Sequence, residues 1–201
     1  SIGNRLIPQN RYNDIYLVNK FFTWTNELIP NKFKDLTNDH PRMVIPFRDA
    51  DGKVFAYQGR AFGEEQPKYI TIVLDQNQKK IFGLDRVNDN RNIIIVEGPI
   101  DSLFLPNCIA VAQGDLRLPQ YKEKSTLVFD NEPRNREIVK NIEKAIEEDY
   151  SVVIWPQDIE EKDINDMVIS GLTTSEISNI IHRNTFSGLQ AKTQISYWKK
   201  V

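Results

Sequence analysis

The sequence predicts an α/β fold in three parts: a mixed α+β subdomain over residues 1–90, an α/β domain with a mainly parallel sheet over 91–170, and a C-terminal helical segment over 171–201. Short apolar runs at 93–96, 126–129 and 151–155 are bounded by polar, Gly or Pro positions, which is typical of buried parallel strands. An Asp-Gly turn between alternating apolar segments predicts a hairpin before them. Isoleucines at helical spacing predict a helix over 134–149.

The N-terminal part contains a weak helical pattern and then a clear hairpin. Apolar residues from Ile15 to Trp24 predict a helix within 1–40. The strands predicted at 43–47 and 53–60 flank a turn that ends in Asp51-Gly52. With a further strand at 69–74, residues 41–88 are expected to form a small, largely antiparallel sheet.

The second part alternates strands and helices. A helix should begin at Pro99, because proline suits the first helical position. Strands are expected at 109–112 and 126–129, followed by the 134–149 helix and a loop carrying residues 162–166. Thr174 and Ser175 before Glu176 predict a helix start, and the remaining tail to Trp198 is expected to be helical.

Composition limits the kind of site that the chain can build. Cys108 is the single cysteine and there are two histidines, which excludes an internal disulfide and a multi-cysteine zinc site. No apolar run approaches the roughly 20 residues of a membrane span, and no targeting segment is evident. We therefore expect a reducing cytoplasm and a metal that prefers oxygen ligands. Because the chain begins with Ser1, we expect a piece of a longer protein.

Charge is unevenly distributed along the chain. The net charge is −2, but residues 1–88 hold 13 basic against 10 acidic residues, whereas residues 89–201 hold 13 against 18. A basic first half beside an acidic second half suits nucleic acid on one side and metal ions on the other. Scattered, solvated charge is the alternative.

Acidic residues follow the predicted parallel strands. Glu97, Asp130 and Glu132 come after the first two acid-ended strands, and Asp163 lies in the loop after the third. Open α/β sheets bind ligands at the carboxyl ends of their strands. Carboxylates gathered there repel one another unless a cation lies between them, and Mg²⁺ prefers such oxygen ligands. Two ions about 3.5–4 Å apart could align an attacking hydroxyl with a leaving pyrophosphate.

These motifs resemble a known domain. Glu97-Gly98 with Asp101, and Asp130-Asn131-Glu132, are similar to the Glu and Asp-x-Asp motifs of the topoisomerase–primase (Toprim) domain, with Glu132 where the family has Asp. The segment 162–166 resembles a later acidic motif, often Asp-Pro-Asp-Glu in bacterial primases. Asp163 matches its first acid, whereas Asn165 replaces the second.

The preceding segment narrows the resemblance. Short motifs at 42–47, 51–53, 59–60, 67–69 and 81–84 occur in the order seen in the N-terminal subdomain of bacterial-type DNA primase catalytic cores. The resemblance covers residues 41–170, and the tail to Trp198 is more similar to primases of tailed bacteriophages.

The resemblance implies roles for individual residues. Catalytic positions that also bind metal are Glu97, Asp130 and Glu132, with Asp163 as a further metal ligand. Whether Glu97 is a ligand or a general base stays open. Asp101 and Asp166 are expected to support the ligands from behind. The residues expected to bind nucleotide or template are Arg42, Arg60, Lys68, Tyr69 and Lys80.

The resemblance also implies an activity. It is a nucleotidyltransferase reaction: DNA-templated synthesis of short RNA primers on single-stranded DNA for replication, with two or more Mg²⁺ or Mn²⁺ ions. The implied partners are the single-stranded template, ribonucleoside triphosphates and a replicative helicase. No zinc is expected in this chain, so the zinc-binding domain of such primases would lie elsewhere in the full-length protein. The implied location is the cytoplasm, or the host cytoplasm if a phage encodes the chain.

Two other functions fit the same residues. A Toprim nuclease would use these acids to cleave a strand, and strand scission rather than nucleotide incorporation would identify it. A degenerate core that only binds single-stranded DNA or a helicase would show no Mg²⁺-dependent response to nucleotide. The departures at Glu132 and Asn165 keep this second alternative open.

Overall fold

The computed structural model describes residues 7–112 and 114–201. The chain divides into two compact units. The smaller comprises residues 8–80, and the larger contains Ile7 and the described residues from Ile81 to Val201. Each unit has its own sheet.

The smaller unit contains a four-stranded antiparallel sheet. Its strands follow one another in chain order: β1 (Tyr16–Val18), β2 (Arg42–Arg48), β3 (Val54–Ala61) and β4 (Tyr69–Val73). The predicted hairpin is confirmed, because β2 and β3 pair antiparallel around the expected turn. Gly52 adopts a φ of 82°, and Asp49 Oδ1 accepts hydrogen bonds from the backbone N–H groups of Asp51 and Lys53 at 3.1 and 2.9 Å. This is the backbone conformation for which Asp-Gly turns are selected.

One helix, α1 (Phe21–Leu28), packs on this sheet. Phe21 is fully buried against Val44, Tyr57 and Ile72. A Cβ atom at Gly59 would collide with the Phe21 ring, so the close approach of helix to strand requires glycine there.

The helical expectation for the first 40 residues was correct only in part. A 3₁₀ helix spans Gln9–Asp14, Tyr16–Val18 pairs with β2 as a strand, and residues 1–6 lie outside the described residues. The carboxylate of Asp39 accepts the N–H groups of Phe22 and Thr23 at 2.6 and 2.9 Å, which caps α1 where the apolar pattern gave no boundary.

The larger unit contains a six-stranded sheet. Its strands are β5 (Ile81–Phe82), β6 (Ile93–Val96), β7 (Cys108–Val111), β8 (Ser125–Val128), β9 (Ser151–Val153) and β10 (Thr185–Phe186). The spatial order is β10-β9-β8-β6-β7-β5. The inner four strands are parallel, and the two edge strands are antiparallel to their neighbours. The predicted α/β fold with a mainly parallel sheet is therefore confirmed.

In the described part of this unit, five helices accompany the sheet: α2 (Pro99–Ser102), α3 (Arg136–Glu147), α4 (Ile164–Ser170), α5 (Thr174–Arg183) and α6 (Gly188–Trp198). Two short 3₁₀ helices span Leu84–Arg86 and Pro119–Lys124. The predicted apolar stripe of α3 is buried, with Ile138, Ile142 and Ile146 on the inner face. No helix among the described residues is long and apolar enough to cross a membrane.

Three expectations for the larger unit were wrong. Ile81–Phe82 pairs with β7 rather than extending the small sheet predicted over 41–88. The segment 162–166 is not all loop, because Asp163 caps α4 and the helix begins at Ile164. The tail is not all helical, because Thr185–Phe186 adds an edge strand beside β9.

Candidate metal centre

The two central parallel strands bring the first acidic residues together. Val96 and Val128 are paired in register at the ends of β6 and β8, so Glu97 and Asp130 leave the sheet at the same edge. The backbone N–H of Asp130 points to Glu97 Oε1 at 3.4 Å. All four residues of β6 and of β8 are buried; β6 is entirely apolar, whereas β8 begins with the polar Ser125 and Thr126. The first polar positions beyond the strands therefore face the open edge.

Two further acids reach this edge from helix ends. Asp163 Oδ1 accepts the backbone N–H of Asp166 at 2.8 Å and caps α4. Asp101 in α2 accepts the backbone N–H of Asn165 at 2.8 Å. A Cβ atom at Gly98 would collide with the Asp101 carboxylate, which explains why glycine follows Glu97. Glycine after Glu97 therefore lets the Asp101 carboxylate occupy this position.

One small pocket collects four of these carboxylates. Its lining consists of Val96, Glu97, Asp101, Val128, Phe129, Asp130, Trp155, Asp163 and Ile164. Among the lining residues, the indole N–H of Trp155 donates to Phe129 O at 2.9 Å. The structure therefore brings together the predicted site residues Glu97, Asp130, Asp163 and Asp101.

Burial, together with the charge of neighbouring acids, raises the pKa of three of these carboxylates, those of Glu97, Asp101 and Asp130. Burial and then the charge of Glu97 raise the pKa of Asp130 to about 7. Burial and then the charge of Asp163 raise the pKa of Asp101 to about 7. The pKa of Glu97 is also raised, chiefly by burial. Such a cluster favours either protons or a bound cation.

Glu132 occupies a different position from the four pocket acids. Its Oε2 atom lies 3.5 Å from Lys162 Nζ, and Asp130 Oδ2 lies 3.6 Å from the same nitrogen. Burial lowers the pKa of Lys162, but Asp130 and Glu132 outweigh it and the pKa is raised. The ammonium group thus supplies positive charge between the two acids of the Asp-Asn-Glu motif.

The donor chemistry suits a hard divalent cation. The polar side chains of the pocket are all carboxylates, which fits Mg²⁺ or Mn²⁺ and does not fit a zinc site of cysteines and histidines. Within residues 7–112 and 114–201, however, no three Asp, Glu, His or Cys side chains are grouped closely enough to hold a metal as they stand. Repulsion among the acids and the Lys162 contacts oppose closer grouping.

Asp166 contributes to this region through its backbone. Its N–H is the donor to Asp163, whereas its side chain is exposed. The expected supporting role of its carboxylate remains a prediction.

Arg42 lies inside the smaller unit, and its expected role in binding nucleotide or template remains a prediction. Arg42 is only 2% exposed, and its Nη1 donates to the carbonyl oxygens of Gly59, Pro67 and Lys68 at 3.2, 3.0 and 3.4 Å. A guanidinium committed to three backbone carbonyls holds β2, β3 and the segment before β4 together. Arg42 lies two residues before Val44 in β2, so the two side chains are on the same face of the sheet. This spacing could have indicated that the Arg42 side chain points inward.

The other expected binding residues lie on accessible parts of the smaller unit. Arg60 and Tyr69 are cross-strand partners, and the Arg60 guanidinium lies 5.9 Å from the Tyr69 ring centroid. The exposed Lys68 ammonium lies at the same distance from that ring. Among the described residues, Arg60 Nε has no hydrogen-bond partner. Lys80 ends the smaller unit, just before β5.

The comparisons with known proteins agree with the resemblance. No family model matches the chain. The DNA primase of Enterobacteria phage T4 is 35% identical over 98% of this chain, which spans 58% of that relative's length. The crystal structure of Aquifex aeolicus primase, containing its zinc-binding and RNA polymerase domains, is similar with a TM-score of 0.63. The two sequences are 21% identical, and the match covers 92% of this chain and 55% of the Aquifex aeolicus chain.

A third similarity involves a primase solved with DNA. The RNA polymerase domain of Mycobacterium tuberculosis primase DnaG, in complex with a double-stranded DNA oligomer with a 6-nucleotide overhang, matches with a TM-score of 0.64. It is 15% identical, and the match covers 90% of this chain and 71% of that one. Sequence and fold therefore agree, and this chain is a homologue of DNA primases with the fold of a bacterial-type primase catalytic core.

Proposed function

We propose that this chain carries the catalytic centre for Mg²⁺-dependent, DNA-templated synthesis of short RNA primers. The observation that carries the proposal is the pocket at the sheet edge, where Glu97, Asp101, Asp130 and Asp163 meet in a homologue of DNA primases. Because the chain spans 58% of the phage relative, the activity of the whole protein is part of the proposal.

Asp130, Glu132 and Asp163 would hold the cations, two or more in number, with Glu97 as a further ligand or as the base. Bound Mg²⁺ would lower the pKa of an attacking hydroxyl and offset charge on a triphosphate. The pKa of Glu97 is raised chiefly by burial, which suits a carboxylate that receives a proton. Asp101, held by Asn165, would keep α4 and Asp163 in place.

Arg60, Lys68, Tyr69 and Lys80 would contact the template or the incoming nucleotide. Lys and Arg neutralise phosphates without reading sequence, and an exposed tyrosine can stack on a base. The DNA complex of the mycobacterial relative supports a nucleic-acid partner of this kind. Arg42 would act with them mainly by holding the strands in place, because its Nη1 atom donates to carbonyl oxygens inside the smaller unit.

The remaining partners follow from the same proposal. They are ribonucleoside triphosphates, a replicative helicase and a zinc-binding domain in the full-length protein, all acting in the cytoplasm or, for a phage protein, the host cytoplasm. The Aquifex aeolicus relative contains such a zinc-binding domain beside its RNA polymerase domain. Cys108, the single cysteine, is buried in β7 and cannot provide one here.

A Glu97→Gln variant tests the proposal. Single-stranded DNA, labelled ribonucleotides and MgCl₂ are incubated with the chain, with a zinc-binding segment from a related primase supplied in trans. We expect Glu97→Gln to reduce dinucleotide synthesis by at least about 100-fold, because a ligand or base at the reacting centre is lost. Glu147→Gln, on the exposed side of α3, is the matched control and should retain activity.

Other results would point elsewhere. Full synthesis by Glu97→Gln would contradict the assigned role. Cleavage of the DNA without incorporation would favour the nuclease. The absence of any Mg²⁺-dependent response in the unsubstituted chain would favour a non-catalytic binding module, to which the Asn165 position also gives weight.

A further inference from the structure

Asn131, the middle residue of the Asp-Asn-Glu motif, uses every polar group of its side chain. Its Nδ2 donates to the carbonyl oxygens of Ile159 and Glu161 at 2.9 and 3.1 Å. Its Oδ1 accepts the indole N–H of Trp198 at 3.1 Å. The side chain therefore joins three separate segments at the acidic edge of the sheet.

These contacts require an amide in one orientation. An amide offers two donors on nitrogen and an acceptor on oxygen, and here the donors face carbonyls while the acceptor faces an N–H. Rotation by about 180° would place oxygen against two carbonyl oxygens. The backbone N–H of Asn131 also donates to Lys162 O at 2.6 Å. Asn131 thus fixes the segment 159–162, and with it the neighbouring Asp163.

The Trp198 end of this linkage is equally well anchored. Trp198 is only 6% exposed at the end of α6, although it is 67 residues from Asn131 in sequence. The N–H of Lys200 donates to Pro133 O at 2.8 Å, and Lys199 Nζ lies 2.7 Å from Glu143 Oε1. The end of α6 is therefore bonded directly to the loop that carries Asp130 and Glu132.

We propose that Asn131 and Trp198 are positioning residues that set the metal affinity of the acidic edge. Through them, the C-terminal helix holds the Asp130–Glu132 loop at a fixed distance from Lys162 and Asp163. The inference rests on the proposed metal-dependent function, because it names the residues that orient the ligands of that same site. Residues that orient metal ligands by hydrogen bonds commonly alter affinity when they are replaced.

The first test is Trp198→Phe, which keeps the aromatic packing and removes the N–H donor. Binding of MnCl₂ to the nucleotide-free chain is measured by calorimetric titration. We expect the dissociation constant to rise about threefold to tenfold, because one oriented hydrogen bond to the ligand loop is lost. In the metal-free protein, amide hydrogen exchange at Asn131 should accelerate, while exchange in β2 and β3 stays unchanged.

Tyr197→Phe is the matched control, since Tyr197 is its neighbour on α6 and is 71% exposed. It should leave both MnCl₂ affinity and exchange unchanged. Asn131→Asp is the second variant, because it is nearly isosteric but turns an oxygen towards the Ile159 and Glu161 carbonyls. It should weaken metal binding although it adds a negative charge, whereas simple electrostatics would strengthen it. Asn131→Asp also tests the inference by itself if Trp198→Phe cannot be purified in folded form.

The combination Asn131→Ala with Trp198→Phe tests the route of the effect. If Trp198 acts through Asn131, the double variant should bind MnCl₂ no more weakly than Asn131→Ala alone. Unchanged affinity and exchange in Trp198→Phe, or fully additive losses, would overturn the inference. Failure of the unsubstituted chain to bind MnCl₂ would instead count against the proposed function, and unchanged Asn131 exchange would still refute the positioning contact.

Discussion

Asp101 Oδ1 accepts the backbone N–H of Asn165 at 2.8 Å, and this bond joins the helix after the first acidic strand to the first turn of α4. The same carboxylate lies against Gly98, where a Cβ atom would displace it. Asp101 therefore links the Glu97-Gly98 motif to the Asp163 motif, which are far apart in sequence. Its elevated pKa is the cost of placing this charge beside Asp163 and away from solvent.

Stability without metal should depend on pH through Asp101. Because its pKa is about 7 in the folded chain against an ordinary 3.8, the folded state binds this proton more tightly than the unfolded state does. The unfolding free energy should therefore fall as pH rises from about 4 to about 7, by up to about 4 kcal/mol for this group. In Asp101→Asn, which can still accept the Asn165 N–H, this part of the fall should disappear. Urea unfolding in EDTA at several pH values measures it, and parallel curves for the two proteins would contradict the prediction.

Lys162→Met should strengthen binding of the bare metal ion. The Lys162 ammonium lies 3.5–3.6 Å from Glu132 and Asp130 and competes with a cation for them. Since the lysine side chain is half-exposed, the gain should be only about twofold to fivefold in MnCl₂ affinity. Lys140→Met, on the exposed side of α3, is the control for the change in net charge. Equal affinities in the two variants would exclude a local competition.

Lys68→Ala should weaken binding of single-stranded DNA and reduce its salt dependence. If Lys68 contacts one phosphate, the slope of log affinity against log salt should become smaller in magnitude by about 0.7. Fluorescence anisotropy with a labelled oligonucleotide measures both quantities. Lys53→Ala removes an exposed lysine from the β2–β3 turn of the same unit and should change the slope less. A larger change in the slope for Lys53→Ala than for Lys68→Ala would indicate that DNA binds near the β2–β3 turn instead.

Arg42→Met should mainly destabilise the smaller unit. Three carbonyl oxygens lose their buried donor, and a loss of about 2–3 kcal/mol in unfolding free energy is expected because unpaired buried polar groups are costly. Arg48→Met in the same strand is a graded control, since Arg48 Nη1 donates to one carbonyl, that of Gly52, at 3.2 Å. Thermal unfolding monitored by circular dichroism compares them. An Arg42→Met protein with unchanged stability and impaired DNA binding would instead support the expected role of Arg42 in binding nucleotide or template.

The acidic edge could be predicted from the sequence because its signal is local. Apolar runs that end in Glu97 and Asp130 specify both the strands and the direction in which the acids leave them. The hairpin could be predicted for the same reason, since Asp-Gly encodes its own turn. Short-range patterns of this kind can be recognised without knowing which residues pack against them.

The remaining features depend on contacts that sequence spacing does not encode. The Asn131–Trp198 bond joins residues 67 positions apart, and the family motif leaves the middle position open. The direction of the Arg42 side chain depends on carbonyls from two other segments. The Lys162 segment is held beside the acids by the hydrogen bond from the Asn131 N–H to the Lys162 carbonyl oxygen. Long-range hydrogen bonding, rather than propensity, decided these positions.

The two short antiparallel strands at the margins of the larger sheet protect its parallel interior from self-association. Ile81–Phe82 and Thr185–Phe186 each present only two residues, so neither offers a long template for another chain. A truncation after Arg183 would remove the strand beside β9 together with α6, and would leave the Ser151–Val153 strand unpaired on that side. Such a protein should aggregate in a concentration-dependent manner, although all the acidic residues of the pocket are still present. Light scattering would detect the aggregation.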